Sequence, residues 1–173
     1  MTHDELARRV AERAVLHGQF TLRSGRTSSV YLDKYRFETD PELLRPIGEW
    51  LAEHVRELRP DRLGAPELGA VPLATAASLA SGIPFVIVRM AAKEYATEGK
   101  VEGLYEQGEK IVVIEDVVTS GGALIAAVES LRSLGIVVEQ AVCVLDRDEG
   151  GRVSLAEMGV ELRSLFTRSA LGM

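Results

Sequence analysis

The sequence predicts an α/β fold: a central, mostly parallel sheet flanked by helices, in a single domain spanning residues 1–173. Three observations lead there. From residue 62 onward, short apolar runs alternate with helical segments, the order that right-handed strand-helix-strand crossovers produce. Phe85-Val86-Ile87-Val88 and Ile111-Val112-Val113-Ile114 are apolar at every position, as strands covered on both faces are. A length of 173 residues, with 46% hydrophobic and 27% charged residues, suits one globular unit with a real core.

Residues 4–16 read as a helix, because Thr2 and Glu5 have capping-box spacing, Leu6, Val10 and Ala14 share a face, and Gly18 is the expected stop. Phe20-Thr21-Leu22-Arg23 and Val30-Tyr31-Leu32-Asp33 are β-like and flank Ser24-Gly25-Arg26, a hairpin connection. Asp40-Pro41 supplies an N-cap and a first-turn proline to an amphipathic helix. Its stripe is Leu43, Leu44, Ile47, Leu51, Val55 and Leu58, and it ends before Pro60. A weak strand at 62–65 leads through Gly69 into an alanine-rich helix around 73–79. After the two buried strands, 123–134 reads as a helix closed by Gly135, 136–145 as a strand, 154–158 as a short helix and 160–166 as the last strand. Residues 90–108 fit neither period and exceed an ordinary connection, so they form either a functional flap or a disordered insertion.

Composition narrows the function classes. Twenty basic against twenty-six acidic side chains give a formal charge of −6, and no basic patch stands out that would attract a nucleic-acid backbone. The single cysteine, Cys143, sits in an apolar run and reads as a packed, inert thiol. His3, His17 and His54 are scattered, which argues for surface histidines over a zinc site. The acidic start has no leader pattern and no run reaches the roughly 18 apolar residues of a membrane span. A cytoplasmic enzyme without nucleic-acid or membrane partners is the expectation.

The chemistry concentrates in Ile111-Val112-Val113-Ile114-Glu115-Asp116-Val117-Val118-Thr119-Ser120-Gly121-Gly122-Ala123, a buried strand ending in two acids and turning into a helix. Ligands of open α/β sheets bind beyond the carboxyl ends of strands, and a helix N-terminus offers free N–H groups to an anion. Gly121 and Gly122 allow close backbone approach, and the Thr119 and Ser120 hydroxyls add donors. Two acids beside a phosphate cradle suit sugar hydroxyls, reached directly or through a substrate-bound Mg²⁺. A ribose 5-phosphate moiety satisfies both halves. Neither the dinucleotide fingerprint nor the Walker loop is present.

The run from Glu115 to Ala123 resembles the 5-phosphoribosyl-1-pyrophosphate (PRPP) motif of type I phosphoribosyltransferases. Three further pieces resemble the orotate branch of that family: Phe20-Thr21-Leu22-Arg23-Ser24-Gly25-Arg26, Arg89-Met90-Ala91-Ala92-Lys93-Glu94-Tyr95 and Leu145-Asp146-Arg147. The resemblance covers nearly the whole chain. It implies a small N-terminal hood segment, a long flexible flap, and transfer of phosphoribosyl from PRPP to orotate with Mg²⁺ carried by the substrate. It further implies a homodimer whose flap lysine, matched by Lys93, reaches the neighbouring site. By the same resemblance Lys93 and Asp116 are catalytic. Arg23, Arg89, Lys93, Tyr95, Glu115, Asp116, Val117, Val118, Thr119, Ser120, Gly121, Gly122 and Ala123 face PRPP, while Thr119, Arg147, Ser24 and Gly25 face orotate.

The residues taken alone allow blander roles. Arg89 and Lys93 also read as solvated loop charges, Arg147 as a partner of Asp146, Asp148 or Glu149, and the early segment as a plain hairpin. Gly69-Ala70-Val71-Pro72-Leu73 forms either a loop facing pyrophosphate or an ordinary strand-to-helix turn. Met90, Tyr95 and Ala96 depart from the family's flap, which predicts altered affinity on the pyrophosphate side, with Lys100 a compensating charge only if the flap bends it inward. Glu115 replaces the more frequent aspartate but keeps a carboxylate. A phosphoribosyltransferase for another base and a catalytically silent PRPP sensor are the competing readings.

Overall fold

The computed structural model describes residues 1–21, 25, 27–90 and 100–173; Leu22, Arg23, Ser24, Arg26 and residues 91–99, Lys93, Tyr95 and Ala96 among them, lie outside the described residues. Helix α1 (His3–Ala14) begins as its capping spacing predicts, with Thr2 Oγ1 accepting from the Glu5 N–H at 3.2 Å. It stops earlier than expected. Val15 turns extended and opens β1 (Val15–Thr21), which runs through Gly18 and pairs antiparallel with β2 (Thr27–Leu32), Val15 lying opposite Leu32. Pairing with β2 replaces the helix's last turn, a long-range gain that local periodicity does not register.

Two helices follow. The single turn α2 (Tyr35–Glu38), absent from the sequence reading, buries Phe37 and Glu38. Helix α3 (Pro41–Leu58) is capped by the Asp40 side chain, which accepts from the Glu42 N–H at 3.0 Å, and it ends where Arg59 adopts φ 49°. Its stripe of Leu43, Ile47, Leu51, Val55 and Leu58 is buried as the spacing predicts.

The remaining elements are β3 (Arg62–Pro66), α4 (Ala70–Ser81), β4 (Phe85–Val88), β5 (Val101–Glu102), β6 (Lys110–Val118), α5 (Gly122–Ser133), β7 (Val137–Asp146), α6 (Gly151–Glu157) and β8 (Glu161–Thr167). The sheet has the order β5-β4-β3-β6-β7-β8, parallel throughout except for β5, a two-residue strand antiparallel to β4. Strand β6 outlasts its apolar run because the ladder to β7 continues through Glu115, opposite Cys143, and Val118, opposite Asp146. Both acids therefore lie inside the strand and not at its end, so ladder hydrogen bonds fix their backbone.

Alternation along β6 and β7 builds a core on each face of the sheet. Val112, Ile114, Val142 and Val144 pack with residues of α1, α3 and α4, whereas Ile111, Val113, Ala141 and Cys143 pack with α5 and Leu155 of α6. Cys143 is the inert thiol its neighbours suggest, its pKa pushed well up chiefly by burial. His17 is exposed as expected, but two histidines need correction. His3 is part-buried against Trp50 and Phe166 and contacts the Leu165 carbonyl at 2.8 Å, tying α1 to the sheet, whereas part-buried His54 contacts the Trp50 carbonyl of its own helix at 2.8 Å. Among the described residues no helix is long and apolar enough to cross a membrane.

Candidate active site

Parallel β3, β6 and β7 all point their carboxyl ends to one edge of the sheet, so the loops at 67–69, 119–121 and 147–150 meet there. After Val118 the chain turns through Thr119, Ser120 and Gly121, whose φ of 85° lets α5 start at once at Gly122. The first N–H groups of α5 have no partner within the helix, and Ser120, Gly122 and Ala123 are exposed. Glu115 and residues 117–119 and 121–124 line a shallow cleft of about 40 Å³. Most residues of the expected phosphate cradle thus lie around one cleft.

Helix α6 shapes this cradle from behind. The Gly151 N–H donates to the Thr119 carbonyl at 2.9 Å, and a Cβ on Gly151 would lie 2.5 Å from that oxygen and from Val118 Cγ1. Only glycine lets α6 approach so closely. Sequence reasoning missed Gly151, although the Gly150-Gly151 pair was a visible signal.

The two acids face different neighbours. Glu115 reaches the phosphate-loop cleft, and its Oε1 accepts from the Asp116 N–H at 3.0 Å. Asp116 turns toward β3 and α2: Lys34 Nζ lies 2.5 Å from its Oδ2, and the Val117 N–H donates to its Oδ1 at 2.5 Å. Gly69 is pressed against the same pair, since a Cβ there would fall 1.8 Å from Asp116 Oδ2 and 2.9 Å from Lys34 Nζ. Glu38 completes the cluster, buried, with neither carboxyl oxygen in a hydrogen bond.

Burial dominates the electrostatics of this cluster. It pushes Glu115 up to about 8, with the Asp116 charge adding to the shift, and Glu38 likewise to about 8, Lys34 opposing in both cases. Burial also pulls Lys34 down, but its hydrogen bond to Asp116 and the surrounding acids outweigh this and raise it. Glu38 and Glu115 are thus both held well above the usual carboxylate range. Burial biases the Glu115 carboxyl toward its neutral form, in which it can donate as well as accept. Lys34 and Glu38 carried no sequence signal, because only the fold of α2 brings them to β6.

Arg147 stands beside the cradle, its N–H donating to the Val118 carbonyl at 3.0 Å. Its Nη2 pairs with Glu149 at 2.9 Å, and its Nε is buried without a hydrogen bond. Of the predicted acid partners Glu149 is the one used; Asp146 is taken instead by Arg152, at 2.9 Å. Arg89 lies at the end of β4, paired with Glu102 at 3.6 Å and bordering a separate cleft with Lys100 and Ser130. The structure thus joins Glu115, Val117, Val118, Thr119, Ser120, Gly121, Gly122, Ala123 and Arg147 around one loop, leaves Arg89 in its own ion pair, and shows Gly25 exposed at the hairpin tip with φ 80°. Lys93, Tyr95, Arg23 and Ser24 fall outside the described residues.

Comparison with known proteins decides what this geometry belongs to. Residues 36–160 match the phosphoribosyl transferase domain family. An orotate phosphoribosyltransferase of Methanocella arvoryzae is 48% identical over 158 residues, covering 91% of this chain and 90% of that one. The chain belongs to the orotate phosphoribosyltransferase family. Solved members of this family share its architecture. Orotate phosphoribosyltransferase of Mycobacterium tuberculosis H37Rv, in complex with Fe(III) dicitrate, superposes with a TM-score of 0.89 at 31% identity over 99% of both chains. The same enzyme in complex with PRPP gives 0.85 at 29% identity, again over 99% of both. The mostly parallel sheet flanked by helices is the type I phosphoribosyltransferase fold.

Proposed function

We propose that this protein transfers the 5-phosphoribosyl group of PRPP to orotate, forming orotidine 5′-monophosphate and pyrophosphate in pyrimidine biosynthesis. The observation that carries the reading is the β6–α5 turn: free helix N–H groups and a buried acid pair stand on adjacent residues of one strand and loop. The bond from ribose C1 to the pyrophosphate oxygen breaks and a bond to orotate N1 forms, the N1 proton being lost. Positive charge builds on the ribose and negative charge on the leaving group.

In this reading residues 117–123 hold the 5-phosphate, and Asp116 with Glu115 holds the ribose hydroxyls. Arg147 takes the orotate carboxylate beside Thr119, which would satisfy its unpaired buried Nε. The family resemblance assigns Arg89, Lys93 and Tyr95 to the pyrophosphate side and Arg23, Ser24 and Gly25 to the substrate rim. Asp116 already carries an ammonium and a backbone N–H, a donor set suited to hydroxyls, so Mg²⁺ would enter on the oxygens of the donor's own phosphates. It supplies neutralisation of the leaving group there. A cytoplasmic homodimer completes the proposal, with Lys93 serving the neighbouring site and the closed flap excluding water.

The test is pyrophosphate release from PRPP and Mg²⁺ with orotate, uracil, adenine, hypoxanthine or nicotinate. Release with orotate alone is expected; turnover of another base, or PRPP binding without turnover, would refute the assignment. For shared sites, mixing Lys93→Ala with Asp116→Asn subunits should restore one intact site per heterodimer, and no recovery after proven subunit exchange would count against sharing.

A further inference from the structure

We propose that Lys34 is a positioning residue for the phosphoribosyl donor: its ammonium holds the Asp116 carboxylate in place and offsets its charge, so that ribose hydroxyls bind there although the donor is a polyanion. The inference rests on the function proposed above and extends it to a residue outside the strand-loop motif. Three separate elements converge on the pair. Lys34 precedes α2, Asp116 lies in β6, and Gly69 lies in the turn from β3 to α4. Lys34 Nζ is 2.5 Å from Asp116 Oδ2, and any side chain at position 69 would displace that oxygen. The absence of a side chain at Gly69 leaves room for this contact.

The two partners differ in exposure. The Lys34 side chain is 34% exposed and that of Asp116 is 4% exposed, so the cation stands at the outer side of a carboxylate set in the sheet. Each carboxylate oxygen can accept more than one hydrogen bond, so Oδ2 can take a ribose hydroxyl while keeping its ammonium. Without Lys34, Asp116 would be a buried anion amid Glu38 and Glu115, set against an incoming polyphosphate. Such a site repels its ligand and lets the carboxylate swing.

Lys34→Met, which keeps the stem and removes the charge, tests the idea by initial rates with each substrate varied in turn. The PRPP KM should rise about tenfold or more, as loss of a charge-assisted contact does. The orotate KM should stay within about twofold, and Lys34→Arg should recover part of the PRPP affinity. An unchanged PRPP KM overturns the proposal. So does a parallel rise in both KM values with a lowered melting temperature, which marks a merely structural role. If Lys34→Met does not fold, the polar but uncharged Lys34→Gln decides: a PRPP KM raised while the orotate KM holds supports positioning, and wild-type values for both overturn it. Calorimetric titration with PRPP alone separates this proposal from the functional reading. Wild-type protein that binds PRPP but does not turn over orotate refutes the function, whereas equal PRPP binding by wild type and Lys34→Met refutes only the role of Lys34.

Discussion

Gly151→Ala would push a methyl group against Val118 and Thr119 from behind the β6–α5 turn, without replacing any residue that lines the cleft. Gly151 has no left-handed φ, so the cost comes from contact alone. The new Cβ would sit 2.5 Å from the Thr119 carbonyl oxygen and from Val118 Cγ1, where ordinary contacts lie near ~3.5–4.0 Å, so the turn or α6 must retreat by roughly 1 Å. Overpacking of this kind costs about 1–3 kcal/mol, and the strained Gly151 to Thr119 hydrogen bond about 1 kcal/mol more. At about 2–4 °C per kcal/mol for a chain of this size, the melting temperature should fall by roughly 4–16 °C. A displacement of about 1 Å in donor groups also lowers turnover by on the order of 100-fold. Thermal melts and PRPP-dependent initial rates measure both effects. A variant that melts within about 1 °C of wild type and keeps its PRPP KM would show that α6 does not hold the loop, and the reasoning from close approach would fail.

Three further predictions concern the buried Glu38 and the pair of Arg147 with Glu149. Burial raises Glu38 from an ordinary 4.5 to about 8, so its contribution to stability is fully present below the unfolded value and is lost as pH rises to about 8. Glu38→Gln removes that loss, and its stability relative to wild type should climb between those two pH values and then level; parallel denaturation curves across the range would contradict the assignment. Arg147→Ala should raise the orotate KM far more than the PRPP KM. Glu149→Gln, which frees Arg147 from the 2.9 Å pair, should lower the orotate KM by several-fold; no change would mean that orotate and Glu149 do not compete for the guanidinium.

Elements whose signal is local were legible in the sequence. Asp40-Pro41 predicted the start of α3 to the residue and the stripe from Leu43 to Leu58 its end before Pro60, and Phe85 to Val88 predicted β4, because capping chemistry and burial periodicity act within a few residues. The β6–α5 turn was legible for the same reason: strand, turn and helix start are contiguous. The early end of α1 was hidden because the partner of Val15 is Leu32, and the full length of β6 because its ladder is completed by β7.

The sequence by itself determined the α/β architecture, the strand-turn-helix corner from Thr119 to Ala123 and the family to which the chain belongs. Tertiary structure alone decided the electrostatics of the site and its supports. Burial pushes the Glu115 carboxyl up, Asp116 is held because Lys34, just before α2, reaches it, and the turn keeps its shape because Gly151 lets α6 touch it. Those effects depend on distances between residues about 30 to 80 positions apart in the chain, and neither desolvation nor contact has a periodicity that a linear pattern can carry.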